Sequence, residues 1–115
     1  MKASFEFKLS KDNWIGIMEM GGYGVTWASR MSFGHDHCCI TMDDEDAKLA
    51  GKGYYLTVAD VEKAALDIFL YNQKLNDYHV SAIRTLVVQG CGSDIGSDIA
   101  DVIIQQACFG EILFG

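Results

Sequence analysis

The hydrophobic period of this chain changes at Thr57, and that change limits the folds open to it. Before Thr57, apolar residues come in short strand-like runs broken by Gly, Asp and Ser, with one short helical pattern near the start. After it they recur every three or four positions, as on one face of a helix. The switch is marked by Thr57-Val58-Ala59-Asp60, a capping-box arrangement in which Thr57 and Asp60 satisfy each other's exposed amides. A helix is predicted from there to about Leu75, with Val58, Val61, Ala64, Ala65, Ile68, Phe69 and Leu75 on one broad apolar face. Leu66 and Leu70 fall off that face, beside the charged side, and require a second contact. The segment from Val80 to Gln89 fits a helix or a buried strand equally, because Ile83, Leu86, Val87 and Val88 suit both periods. Ser97 is placed to cap a last helix reaching about Phe109, whose polar stripe is Asp98, Asp101 and Gln105. So narrow a stripe predicts a helix buried on almost every side.

In the first half, Phe5, Phe7 and Leu9 alternate with Glu6 and Lys8, which predicts a half-buried strand. Ser10 offers an N-cap for a helix from Lys11 to about Met20, with Trp14, Ile17 and Met18 on one face and Gly21-Gly22 at its end. Tyr23 to Phe33 and His37 to Met42 predict an antiparallel hairpin turning near Gly34. After the loop from Asp43 to Gly53, Tyr54-Tyr55-Leu56 predicts a third or fourth strand. The expected fold is α+β: a small antiparallel sheet of three to four strands packed against two to four helices, with the helices concentrated in the C-terminal half. At 115 residues it is expected as one domain spanning positions 1–115. The chain runs apolar through Ile112, Leu113 and Phe114, so a packed terminus is also expected.

Sixteen acidic against nine basic residues give a net charge of −7, which repels nucleic acid and favours cationic partners. From Thr85 to Gly115 there is no Lys or Arg at all. An apolar fraction of 50% is high for a small domain and leaves surface for a partner or a second copy. No run approaches the roughly 18 apolar residues of a membrane helix, and no secretory leader opens the chain. A cytoplasmic protein of the host cell is the expectation, its four cysteines present as thiols.

Three constellations bear on chemistry. His35, His37 and Cys39 would share one face of an extended strand, and three such ligands could hold a metal ion with Cys91, Cys108 or Asp43 as a fourth. Their spacing matches no standard zinc pattern, and a strand end followed by two core thiols accounts for it more simply. Gly90, Gly92 and Gly96 after an apolar run are reminiscent of a phosphate loop, but the loop carries Asp94 and no Lys, so a turn is the better reading. The acidic run Asp43-Asp44-Glu45-Asp46, preceded by Asp36, reads as a solvated loop or as a surface that engages Lys and Arg as phosphates do. No nucleophile motif points to an enzyme, and no cofactor is called for.

Two blocks carry a resemblance: Tyr23-Gly24-Val25-Thr26-Trp27-Ala28, and the tail from Asp101 through Ile104, Gln105, Ala107 and Phe109-Gly110-Glu111-Ile112 to Phe114-Gly115. Together with Leu56-Thr57 at the start of the middle helix, they resemble small uncharacterised proteins carried by phages, plasmids and integrated elements, over most of the chain from Trp14 onward. That resemblance implies an inhibitor of bacterial defence, anti-CRISPR proteins being one such kind, and carries no catalytic residues with it. Three readings follow. In the first, the chain blocks a basic, nucleic-acid-binding surface of a bacterial defence protein or ribonucleoprotein complex, using Asp36, Asp43, Asp44, Glu45 and Asp46 with Leu66 and Leu70 as the apolar contact. In the second it is a small metal-binding protein or metal-dependent enzyme using His35, His37 and Cys39. In the third it is a homodimeric structural protein of a mobile element, paired through Leu66 and Leu70.

Overall fold

The computed structural model describes residues 7–42, 53–71 and 75–113. Helix α1 (Lys11–Gly24) leads into strands β1 (Ala28–Phe33), β2 (His37–Met42) and β3 (Gly53–Thr57), followed by helices α2 (Val58–Tyr71), α3 (Asp77–Gln89) and α4 (Ser97–Phe109). The fold is α+β, with one antiparallel sheet of order β1-β2-β3 and most of the helix in the C-terminal half. No described helix is long and apolar enough to cross a membrane.

Helix α4 is the centre of the molecule. It packs against α1, α2, α3 and β3, and Ile99, Ala100, Val102, Ile103 and Ile104 are all buried, as its narrow polar stripe predicts. Each large aliphatic side chain so covered stabilises the fold by about 2 kcal/mol. Around it stand Trp14, Ile17 and Met18 of α1, Ile68 of α2, Ile83 and Leu86 of α3, and Ile40 of β2. At the end of α1 a Cβ on Gly24 would run into the carbonyl oxygen of Ser97, so only glycine lets the two helices meet there.

Local signals account for most boundaries. Ser10 caps α1 by accepting from the amide of Asn13 at 3.1 Å. The capping box forms as read: Thr57 N donates to Asp60 Oδ2 at 2.8 Å, and Asp60 N donates to Thr57 Oγ1 at 3.3 Å. The hairpin turns over His35 and Asp36, closed by Gly34 N donating to His37 O at 2.9 Å. In β2 the period of two is plain, with Cys38, Ile40 and Met42 buried and Cys39 and Thr41 exposed. A register shift at Ser29 bends β1, and the Ser29 hydroxyl lies 3.1 Å and 3.2 Å from the carbonyl oxygens of Thr41 and Met42.

Several expectations are corrected. The described part of the Phe5–Leu9 segment, from Phe7 onward, forms no strand; Phe5 lies outside the described residues. The alternation there arises because Phe7 is buried and Leu9 half-buried, while the Leu9 amide donates to Glu62 Oε2 at 2.6 Å rather than to a neighbouring strand. Helix α1 runs through Gly21 and Gly22 to Gly24, held by packing on α4. Residues 77–89 are helix, and Asn76 starts it by accepting from the His79 amide at 2.8 Å. The N-cap of α4 is Gly96, with no side-chain cap bond, and Ser97 is the first helical residue. The C-terminal segment is tied down as far as it is described: Leu113 N donates to Gln105 Oε1 at 2.9 Å, and Ile112 packs against the core.

Candidate protein-binding surface

The tip of the β1–β2 hairpin carries Asp36, and the fold anchors that tip from below. Trp14, buried in the core, donates its indole N–H to Gly34 O at 3.0 Å, so the turn sits on α1. Asp36 points outward with its side chain 64% exposed, 2.9 Å from His37 Nδ1 and 3.7 Å from His35 Nε2. The hydrogen bond with His37 holds the Asp36 carboxyl below its usual value, so it carries its charge through the physiological range. His37 also stacks on Tyr55 of β3, with ring centroids 5.5 Å apart. Phe33 and Tyr55 are exposed nearby on the two edge strands. Exposed aromatic rings are enriched at the centres of protein interfaces, and a carboxylate beside them belongs to the polar rim.

The metal set read from the sequence does not assemble. His37 and Cys39 share the outer face of β2, but His35 sits in the turn, where the alternation of a strand no longer applies. Among the described residues no three His, Cys, Asp or Glu side chains are placed to hold a metal ion together. Cys38 points to the opposite face and is buried, which pushes its thiol up to about 11. Cys108, also largely covered, is pushed up to about 12. These two are core thiols on the far side of the sheet from Cys39, and all four cysteines are free.

The acidic run Asp43, Asp44, Glu45 and Asp46 lies outside the described residues. In sequence it follows Met42, the last residue of β2, while Asp36 precedes His37, the first. The two leucines of α2 part company. Leu66 is half-buried and packed against the chain's own core, which supplies the second contact it requires. Leu70 is 52% exposed, next to the exposed Tyr71. Only Leu70 is available to a partner as it stands.

Gly90 to Gly96 joins two helices, so no strand precedes the loop and the phosphate-site geometry is absent. Gly90 instead ends α3 in the left-handed conformation, φ +69°, where glycine is unstrained. Its carbonyl accepts from Asn13 Nδ2 at 2.8 Å, tying the loop to α1. Gly16, Glu19, Tyr78, Asp94 and Gly96 border an open groove of about 460 Å³ there. Two carboxylates and no base on its walls suit a cation better than a phosphate.

The electrostatics share one feature. Among the described residues Lys63–Asp67, at 3.0 Å, is the sole Lys or Arg paired with a carboxylate; the other close pairs all use histidine. Sequence reasoning had not singled out the exposed tyrosines Tyr23, Tyr55, Tyr71 and Tyr78. Tyr55 at least had a signal, since it is the outward position between Tyr54 and Leu56 on a strand.

No protein-family model matches the chain, and neither a curated protein nor a solved structure matches it significantly.

Proposed function

We propose that the chain acts by binding a protein partner through its acidic surface, and that the partner is a bacterial defence complex whose nucleic-acid-binding surface is basic. In this reading the chain is a stoichiometric inhibitor, anti-CRISPR-like in kind, as its resemblance to mobile-element proteins implies. The observation that carries the reading is the surplus of carboxylates left unneutralised by Lys or Arg: the net charge is −7, and a single Lys–carboxylate pair is found among the described residues. Such a surface steers a cationic partner towards it over long range. Asp36 on the anchored hairpin tip and the run Asp43 to Asp46 supply charge, and Leu70 with Tyr55 supplies apolar area.

The test is capture of a nucleic-acid-handling complex on the immobilised protein, with salt and competing nucleic acid as eluents. Retention that falls in salt, is displaced by nucleic acid, and is lost when Asp43, Asp44, Glu45 and Asp46 are changed to Lys supports the reading. Retention unaffected by the charge reversal contradicts it.

A further inference from the structure

All three histidines of the chain lie against an aspartate, but only one aspartate is flanked by two of them. His79 meets Asp98, whereas His35 and His37 stand on either side of Asp36 at the tip of the β1–β2 hairpin. His37 Nδ1 is 2.9 Å from Asp36 Oδ1 and His35 Nε2 is 3.7 Å from Asp36 Oδ2, so each carboxylate oxygen faces its own imidazole. The tight turn closed between Gly34 N and His37 O gathers the three side chains. It is fixed from below by Trp14 on Gly34 O and from the side by the stacking of His37 on Tyr55. The His35 side chain, 82% exposed, stands in solvent.

Imidazole is the side chain that ordinarily gains a charge as pH falls from 7.5 to 5.5. Asp36 keeps its negative charge over that interval, because the hydrogen bond with His37 holds its carboxyl low. The other ionisable groups around the tip do not follow the histidines. Helix α1, which carries the turn on Trp14, has Lys11 and Asp12 within the preceding turn, both exposed and opposite in sign. Strand β3 brings Tyr55, β2 has Cys39 two residues along the same outer face, and on β1 Arg30 stands opposite Thr41, away from the tip. Such side chains ordinarily hold one charge state between pH 7.5 and 5.5. With both imidazoles neutral the turn therefore carries one negative charge, and with both protonated it carries one positive charge. A partner's cation brought to Asp36 would then lie about 5 Å from two like charges, which at an exposed site lowers affinity about tenfold.

We propose that His35 and His37 gate the Asp36 contact by pH: the hairpin tip accepts a lysine or arginine of a protein partner when both rings are neutral and repels it when both are protonated. The proposal rests on the reading of the chain as a binder of basic surfaces and states how one contact of that surface is regulated.

The experiment is an amide-resolved NMR titration of the intact protein with N-acetyl-hexa-arginine amide, run at pH 7.5 and at pH 5.5 at matched ionic strength. Saturable shifts are expected at the amides from Gly34 to Cys38 at pH 7.5, with the affinity read there about tenfold weaker at pH 5.5. In the double variant His35→Gln, His37→Gln that affinity should be the same at both pH values. His35→Gln alone, at a fully solvated position, should leave a fall of about threefold and serves if the double variant does not fold. Asp36→Asn should remove the response of the tip at both pH values. No saturable response at the tip at pH 7.5, equal affinities at the two pH values in wild type, or the wild-type fall persisting without the histidines would overturn the gate. Salt-sensitive capture of a nucleic-acid-handling complex that is equal at both pH values would reject the gate alone. A pH-gated response to the arginine peptide without any captured complex would reject the wider reading alone.

Discussion

Two neighbouring glutamines of α4 have opposite fates. Gln105, fully buried, is engaged through both ends of its amide: Nε2 donates to Asp101 Oδ2 at 3.1 Å and Oε1 accepts from Leu113 N at 2.9 Å. Asp101 in turn accepts from the indole N–H of Trp27 at 2.5 Å. Trp27 packs against Phe109, which meets Tyr54 edge to face. The chain Trp27–Asp101–Gln105–Leu113 thus joins the α1–β1 link, α4 and the C-terminal segment. Gln106, one residue on and about 100° round the helix, has one end of its amide met and the other without a partner among the described residues. A fully satisfied buried network holds a fold together, whereas a half-satisfied buried amide adds little to it.

The largest effect expected from breaking this contrast is Gln105→Leu. It strands the Leu113 amide and removes one donor to Asp101, at a cost of about 2–3 kcal/mol, which thermal unfolding would read as a fall of roughly 10 °C in Tm. Next comes Asp101→Asn, which sets an amide N–H₂ against the Gln105 donor and should cost about 1 kcal/mol at neutral pH. Because both changes act on one network, the double variant should lose less than the sum.

Asp101 also gives a pH signature. Burial pushes its carboxyl above the usual value, while the hydrogen bonds from Trp27 and Gln105 pull the other way. The folded protein therefore holds that proton more tightly than the unfolded chain does. Stability attributable to Asp101 falls as pH rises from its ordinary value, near 3.8, through the raised one. That decline should be missing from the Tm–pH curve of Asp101→Asn.

Gln106→Leu should by contrast leave stability within about 0.5 kcal/mol, since the lost bond to Gly110 is offset by removal of an unmet acceptor. Smallest is Asp98→Asn. His79 at 2.8 Å holds the Asp98 carboxyl below its usual value. Its contribution is present above about 3.8 and lost only as pH falls through the lowered value. Asp98 is 60% exposed and the effect is small, so the variant should lie slightly below wild type above about 3.8 and converge on it in the acid limb.

Much of this fold was legible because local chemistry decided it. Ser10, the Thr57–Asp60 box and the turn over Gly34 each place a boundary from a few residues. The helix at 77–89 had its signal too, in Asn76, and the ambiguity arose from weighing Ile83, Leu86, Val87 and Val88 without that cap. What could not be read was pairing across the fold. Alternation put His35 with His37 and Cys39, but the turn begins at Gly34 and breaks the period. Leu66 and Leu70 looked equivalent on a wheel, yet the core reaches one and leaves the other exposed. The polar stripe of α4 showed that Gln105 was unusual and said nothing of Gln106, because an orphaned acceptor is defined by donors that other elements fail to bring.

The most direct measurement is the thermal unfolding of Gln105→Leu beside that of Gln106→Leu. The account predicts a fall of roughly 10 °C in Tm for the first and little change for the second. Equal falls, or the larger fall in Gln106→Leu, would contradict it.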